Sequence, residues 1–344
     1  MMVRHGLLAL LCGLLIGTTP AQGQSSAGYH VVKKIGTGAE GGWDYLTVDT
    51  AGNRLFVSRG THVQVIDLRR DTLIADIPNT LGVHGVALVY GVGKGFTSNG
   101  RDSTVTVFDL KTLAETGRIK LPARNPDAII YDAASNRVIT FNGGSANATA
   151  IDPATGTVIG SVNLGGKPEA AAGDGKGHVF VNIEDKSELV KFDAKELEVE
   201  KRWSLAPCEE PTGLSFDRER HRIFIGCSNK LMAIVNSENG KLVTTLPIGS
   251  GVDGTAFDPA SRLAFSSNGE GTLTVVHEDS PDKFTVMGNV ATQRGARTLA
   301  LDPRTHRIYL STAQFGETPA PTAERPRPRP PMIPGTFTVL VVGQ

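Results

Sequence analysis

The stretch CEEPTGLSFDRERHRIFIGC, residues 208–227, gathers the residue types of an active site: two cysteines bracket Glu209 and Glu210, several arginines and His221. A thiolate beside a base would be a nucleophile. No histidine stands at an equivalent position beside Cys208 or Cys227, however. His221 falls in a polar turn, as do His178 in GKGHV and His306 in PRTHRI. Three histidines sharing one turn position read as solvated turn residues and not as a ligand cluster. The two cysteines are therefore read as a structural disulfide, Cys208–Cys227, of the kind an oxidising compartment permits.

A second set of reactive side chains is dispersed: Asp44, His84, Asp127, Glu169, Asp253 and Arg297, at steps of 40, 43, 42, 84 and 44 residues. Carboxylates and an imidazole could bind a hard cation or serve as a base, and an arginine could grip an anion. At that spacing they act together only if the fold brings them to one place.

The elements that would do so recur along the chain. PDAIIYDAASNRVITFN (126–142), PEAAAGDGKGHVFVN (168–182), PTGLSFDRERHRIFIGC (211–227) and VDGTAFDPASRLAFSSN (252–268) each hold an apolar segment, an aspartate, a polar turn and a second apolar segment. Aligned on the aspartate, the units fall at Asp49, Tyr90, Asp132, Asp174, Asp217, Asp258 and Asp302, at steps of 41, 42, 42, 43, 41 and 44. A third segment follows in most units (VQVID, VTVFD, ATAID, LVKFD, LMAIVN), and a fourth after a Gly- or Lys-containing turn (GTVIGSVNL, GKLVTTLPI). Short β-rich runs between turn residues, without a long helical period, predict antiparallel strands. Four strands repeated every 40–45 residues predict an all-β, seven-bladed propeller occupying residues 29–344. The last unit lacks a fourth strand, while YHVVKKIG (29–36) precedes the first unit unpaired. Pairing the two would complete blade seven and remove a sheet edge.

The second strands GFTSN, VITFN, HVFVN and LAFSSN are similar to the Tyr-Val-Thr-Asn element of YVTN-repeat propellers, and STVTVFDL and NATAIDPATG to the repeat's valine-rich strand and turn. The chain resembles the YncE-like family of exported seven-bladed propellers over nearly all of residues 29–344. The resemblance implies a fold and leaves the function open, because relatives serve as binding proteins, scaffolds, lactonases and haem carriers.

In a propeller the loop leading into each first strand and the loop after each second strand share one face. Five residues before each alignment position stand Asp44, Gly85 (beside His84), Asp127, Glu169, Thr212, Asp253 and Arg297, expected to circle one mouth of the channel. Second strands end on that face at Asn99, Asn142, Asn182, Cys227 and Asn268, with Arg101, Glu184 and Glu270 just beyond. Trp43, Glu209 and Arg294 are expected beside the mouth. The asparagines read as turn formers or as ligand-facing amides.

Four acids facing one channel repel unless something cationic neutralises them. Arg297 and His84 could do so internally; a bound Ca²⁺ could, with carboxylate and amide ligands; or Arg297 and Arg101 could hold a polar small molecule. The primary expectation is a binding or interaction protein, monomeric, holding a small molecule, cation or protein at the mouth. The alternative is a lactonase-like hydrolase, with a metal ion, His84 or a carboxylate activating water and Arg297 stabilising the oxyanion. No C-x-x-C-H motif exists, so covalent c-type haem is not expected. The Pro/Arg-rich segment TPAPTAERPRPRPPMIPG (318–335) should join strands two and three of blade seven on the same face, as a mobile loop, a cover or a docking strip.

Arg4 and His5 precede the apolar run GLLALLCGLLIG, then TTPAQGQ, which reads as a secretory signal over residues 1–23 and predicts a periplasmic or secreted product. The run is short for a membrane anchor, and Leu11 before Cys12 is bulky for a lipoprotein. Removing residues 1–24 deletes one basic residue and no acidic one, leaving 34 Lys+Arg against 35 Asp+Glu. That balance offers nucleic acid or anionic lipid no electrostatic purchase.

Overall fold

A computed structural model describes residues 2, 26–38, 40–322, 326, 328 and 330–344. The expected signal segment lies, but for Met2, outside them. The described chain forms seven four-stranded antiparallel sheets. The first strand of each is in contact with the first strands on both sides, including blade seven with blade one, so the ring closes. The propeller expectation holds.

Blade one is built from β2 (Leu46–Asp49), β3 (Arg54–Ser58), β4 (Val63–Asp67) and β5 (Thr72–Ile77), and the pattern repeats to blade six. Blade seven joins β26 (Leu299–Asp302), β27 (Arg307–Thr312) and β28 (Thr338–Gly343) to the N-terminal β1 (His30–Gly36). β1 pairs with β28 from His30 opposite Gly343 to Gly36 opposite Thr338, as the orphan strand predicted.

Burial explains the composition of each strand. Fourth strands read almost wholly exposed or intermediate, whereas second strands are buried nearly throughout, because a blade's two faces are covered by its neighbours. There are seven apolar cores, one in each joint between blades. The third residue of the second strand points into the following joint: Phe56, Phe96, Ile139, Phe180, Phe224, Phe265 and Tyr309. Burying each such side chain contributes about 2–3 kcal/mol. This repeated large apolar residue, aromatic in every blade but the third, helps seven sheets stack around one axis.

Close to the axis the residues shrink. Gly85, Ala128, Ala170, Gly213, Gly254 and Thr298 line the channel with Tyr45. A Cβ on Gly213 would stand 2.7 Å from the backbone nitrogen of Thr255, so blades five and six meet there backbone to backbone. The aspartates used to align the repeats cap hairpins: Asp49 accepts from the Gly52 amide, Asp132 from Ser135, Asp217 from Glu219 and Asp302 from Arg304. Blade two departs from this. Its first strand, β6, ends at Val89 opposite Lys94, and Tyr90 begins a 3-10 turn and donates its hydroxyl to Asp49 at 2.9 Å.

Candidate functional site

That one-residue offset corrects the alignment. The residue preceding each channel-lining position is Asp44, His84, Asp127, Glu169, Thr212, Asp253 and Arg297, so His84, and not Gly85, is blade two's contribution to the rim. All seven stand at the same end of the channel, where loops enter the innermost strands.

The rim is largely neutralised from within. His84 Nδ1 lies 2.6 Å from Asp44 Oδ2 and 3.4 Å from Asp127 Oδ1. Arg297 Nε lies 3.2 Å from Asp253 Oδ2. Lys167, which the sequence reading did not single out, stands 3.3 Å from Glu169 Oε2 and pairs closely with Glu184. Burial alone would lower the His84 pKa, but the hydrogen bond to Asp44 and the charges of Asp127 and Asp44 raise it to about 9. Burial pushes Asp127 and Asp253 up to about 6, against the opposing pull of His84 and Arg297. Burial and then the Asp127 charge push Glu169 up to about 8. Beneath the rim, Tyr45 lines the channel and packs against the core between blades three and four. Asp44, His84 and Asp127 each offer one ligand atom within 4.8 Å of the others, so a small cation would have to displace the proton bridge they now share.

Beside the rim, above blades six, seven and one, opens a cleft of about 440 Å3 lined by Trp43, Asp253, Arg294, Arg297, Phe315 and Pro330 over four glycines. The loop after β27 supplies one wall. It is pinned by a bridge between Phe315 and Met332 and by the Gly316 amide donating to the Pro331 carbonyl at 2.8 Å. Part of the Pro/Arg-rich segment thus stands at the mouth; residues 323–325, 327 and 329 lie outside the described set. Trp43 packs on Phe315 and Phe337, with ring centroids 6.0 and 5.5 Å apart. Behind it Arg59 is buried, 3.5 Å over the Phe337 ring, and donates to the carbonyls of Gly38, Glu40 and Gly41. Arg59 thereby holds the loop that carries Trp43. Phe315, Phe337 and Lys167 sit in loops of no repeated pattern, so the repeat alignment gave them no position.

Other expected site residues lie elsewhere. Asn99, Asn142 and Asn268 are fully buried inside their blades. Each Oδ1 accepts from a Thr or Ser two residues back, and each Nδ2 donates to side chains of the third strand. Asn182 donates across the joint to the Thr212 and Gly213 carbonyls. They are staples, reaching neither a ligand nor, with φ below zero, a left-handed turn. Glu270 is occupied by the Ser250 amide and hydroxyl and by Thr272. Glu209 and Arg101 are exposed on the mouth side, outside the cleft lining. Cys208 and Cys227 are buried and bonded, with Cα atoms 5.4 Å apart, which leaves neither as a nucleophile. His178 and His306 are half-buried and not fully solvated, because each pairs with an aspartate, Asp174 at 2.9 Å and Asp258 at 2.8 Å. His178 also falls within 4.8 Å of ligand atoms of Asp193 and Glu200, a group already bridged by Lys191.

No protein-family model matches the chain, and no curated protein matches it in sequence. Solved structures do match in shape. A chain from the crystal structure of the mitotic checkpoint complex superposes with a TM-score of 0.72 at 13% identity, covering 90% of this chain and 96% of that one. Kuenenia stuttgartiensis hydrazine synthase superposes at 0.69 and 15% identity, covering 78% and 92% respectively. At such identities the likeness supports the propeller fold alone.

Proposed function

We propose that this propeller is an exported binding protein that holds a small molecule in the cleft beside its channel mouth. One observation carries the reading: a concave space of about 440 Å3, walled by aromatic rings and edged by two guanidinium groups, sits where the loops of three blades converge. That volume falls in the range of ordinary small-molecule sites, as does the mixture of apolar wall and few polar groups. The leader-like N-terminus and the cysteine pair support export, and the repeat elements support a place among YVTN-type propellers.

The hydrolytic alternative fares worse. With its pKa raised to about 9, His84 is an imidazolium at neutral pH and has no lone pair with which to activate water. A Ca²⁺ filling the rim would meet a ring already supplied with His84, Lys167 and Arg297 as counter-charges.

The test is a thermal-shift screen of a chemically broad small-molecule library, followed by crystallography of hits. The reading expects hits whose density lies against Trp43 and Phe315 and whose shifts vanish in Trp43→Ala. A screen without hits, or hits that bind elsewhere, overturns it.

A further inference from the structure

Resting on the cleft being a binding site, we infer that its ligand is a small monoanion with a flat apolar body, an aryl carboxylate in chemical class. Three features of the lining point there. The first is shape. The lining combines four glycines, Gly42, Gly251, Gly269 and Gly295, with Trp43, Phe315 and Pro330, so bare backbone and ring surfaces share one concave space. Gly295 has φ +86°, and a Cβ there would stand 2.7 Å from the Phe315 ring; a Cβ on Gly269 would stand 2.9 Å from the Gly251 carbonyl. The walls come together only because those side chains are missing. Bare backbone beside aromatic rings favours a planar body that can stack on them over a branched one.

The second feature is charge. The lining holds Arg294, Arg297 and a single acid, Asp253. Asp253 pairs with Arg297 through Nε, and the Arg297 guanidinium makes no hydrogen bond among the described residues although 39% of the side chain is exposed. The Arg294 side chain is exposed and has no partner among the described residues, its carbonyl alone accepting from Thr312 Oγ1. One positive charge is thus left over, enough for one anion and not for two.

The third is chemistry. Two guanidinium groups in a lining that also holds aromatic rings suit a carboxylate that accepts paired, charge-assisted hydrogen bonds while its ring system lies on Trp43. Such bonds to a charged group correspond to roughly tenfold or more in affinity each.

The experiment uses three matched probes, 2-naphthoate, 2-naphthamide and 2-naphthylmethylammonium, with acetate as the body-less anion. Binding is read by calorimetry and by Trp43 fluorescence in a Trp203→Phe background, which leaves one indole to report. The expected result is saturable binding of naphthoate, at least about tenfold weaker binding of the amide, and none of the ammonium or acetate. Arg294→Gln/Arg297→Gln, checked for an unchanged melting curve, should lose naphthoate by about tenfold or more while its affinity for the amide stays constant. Amide or ammonium binding as tightly as naphthoate, or naphthoate affinity that survives the double substitution, overturns the ligand class and leaves the cleft a binding site. Library hits in the cleft that no naphthyl probe displaces do the same. Failure of library and probes together brings down the binding reading itself.

Discussion

Replacing His84 by glutamine tests the rim's self-neutralisation directly. In the folded protein the imidazole is held between Asp44 and Asp127 with only 26% of its side chain exposed. Burial works against its charge, yet the two carboxylates lift its pKa from 6.5 to about 9. Each pKa unit corresponds to about 1.4 kcal/mol, so the imidazolium contributes about 3 kcal/mol at its greatest. A histidine with a raised folded pKa stabilises fully below its unfolded value, and the contribution drains away as pH rises through the folded one. The gap between wild type and His84→Gln should therefore be widest near pH 6.5 and narrow by about 1.4 kcal/mol per pH unit, vanishing above roughly pH 9. It should also narrow on the acid side, because Asp127 takes up a proton near its own value of about 6 and the field acting on His84 weakens. Urea unfolding of both proteins from about pH 5 to about pH 10 reads the gap. A gap that stays constant across the alkaline half of that range refutes the argument.

Two further substitutions probe the scaffold. Cys208 and Cys227 close a loop of sequence separation 19, so Cys208→Ser/Cys227→Ser should cost about 3 kcal/mol and lower the melting temperature by about 5 °C; calorimetry showing a change under about 1 °C would contradict this. Glu278 is fully buried, its oxygens lack hydrogen bonds, and the nearest cation is Arg220 Nη1 at 3.5 Å. Burial, and then Asp217 beside it, raises its pKa to about 7, so its ionisation costs stability as pH climbs from the ordinary carboxylate range through that value. Glu278→Gln should match wild type near pH 5 and exceed it by about 3 kcal/mol near pH 8 in chemical denaturation, and an equal or lesser stability at the higher pH would count against the reasoning.

The fold was legible because the information is redundant. All blades but the second repeat an apolar strand, a capping aspartate and a second strand with a buried aromatic, and the copies together average out local exceptions. Even the closing strand could be read, since one unit ended a strand short and another strand had no partner. The site was legible only where it rides on that repetition. Asp44, Asp127, Glu169, Asp253 and Arg297 fell on the rim because they occupy a repeated position. His84 was displaced by one residue because blade two lacks the capping aspartate and Tyr90 mimics its place. The asparagines, which read as turn formers or ligand-facing amides, depart for a different reason: the alternation of a buried strand turns Asn99, Asn142 and Asn268 inward onto Thr and Ser side chains, and Asn182 onto carbonyls across the joint. Lys167 and Phe315 come from loops, where side-chain direction depends on tertiary contacts that no local pattern encodes.

The seam that finishes blade seven also orients the molecule. β28 leaves the mouth at Thr338 and arrives at the far rim at Gly343, where it meets His30. Both chain ends of the ring thus emerge side by side on the side away from the cleft. Anything fused or tethered at either end, whether a lipid, a surface or a second protein, would leave the aromatic slot pointing outward into solution, and a biosensor immobilised through these ends would present every molecule with its opening to the flow.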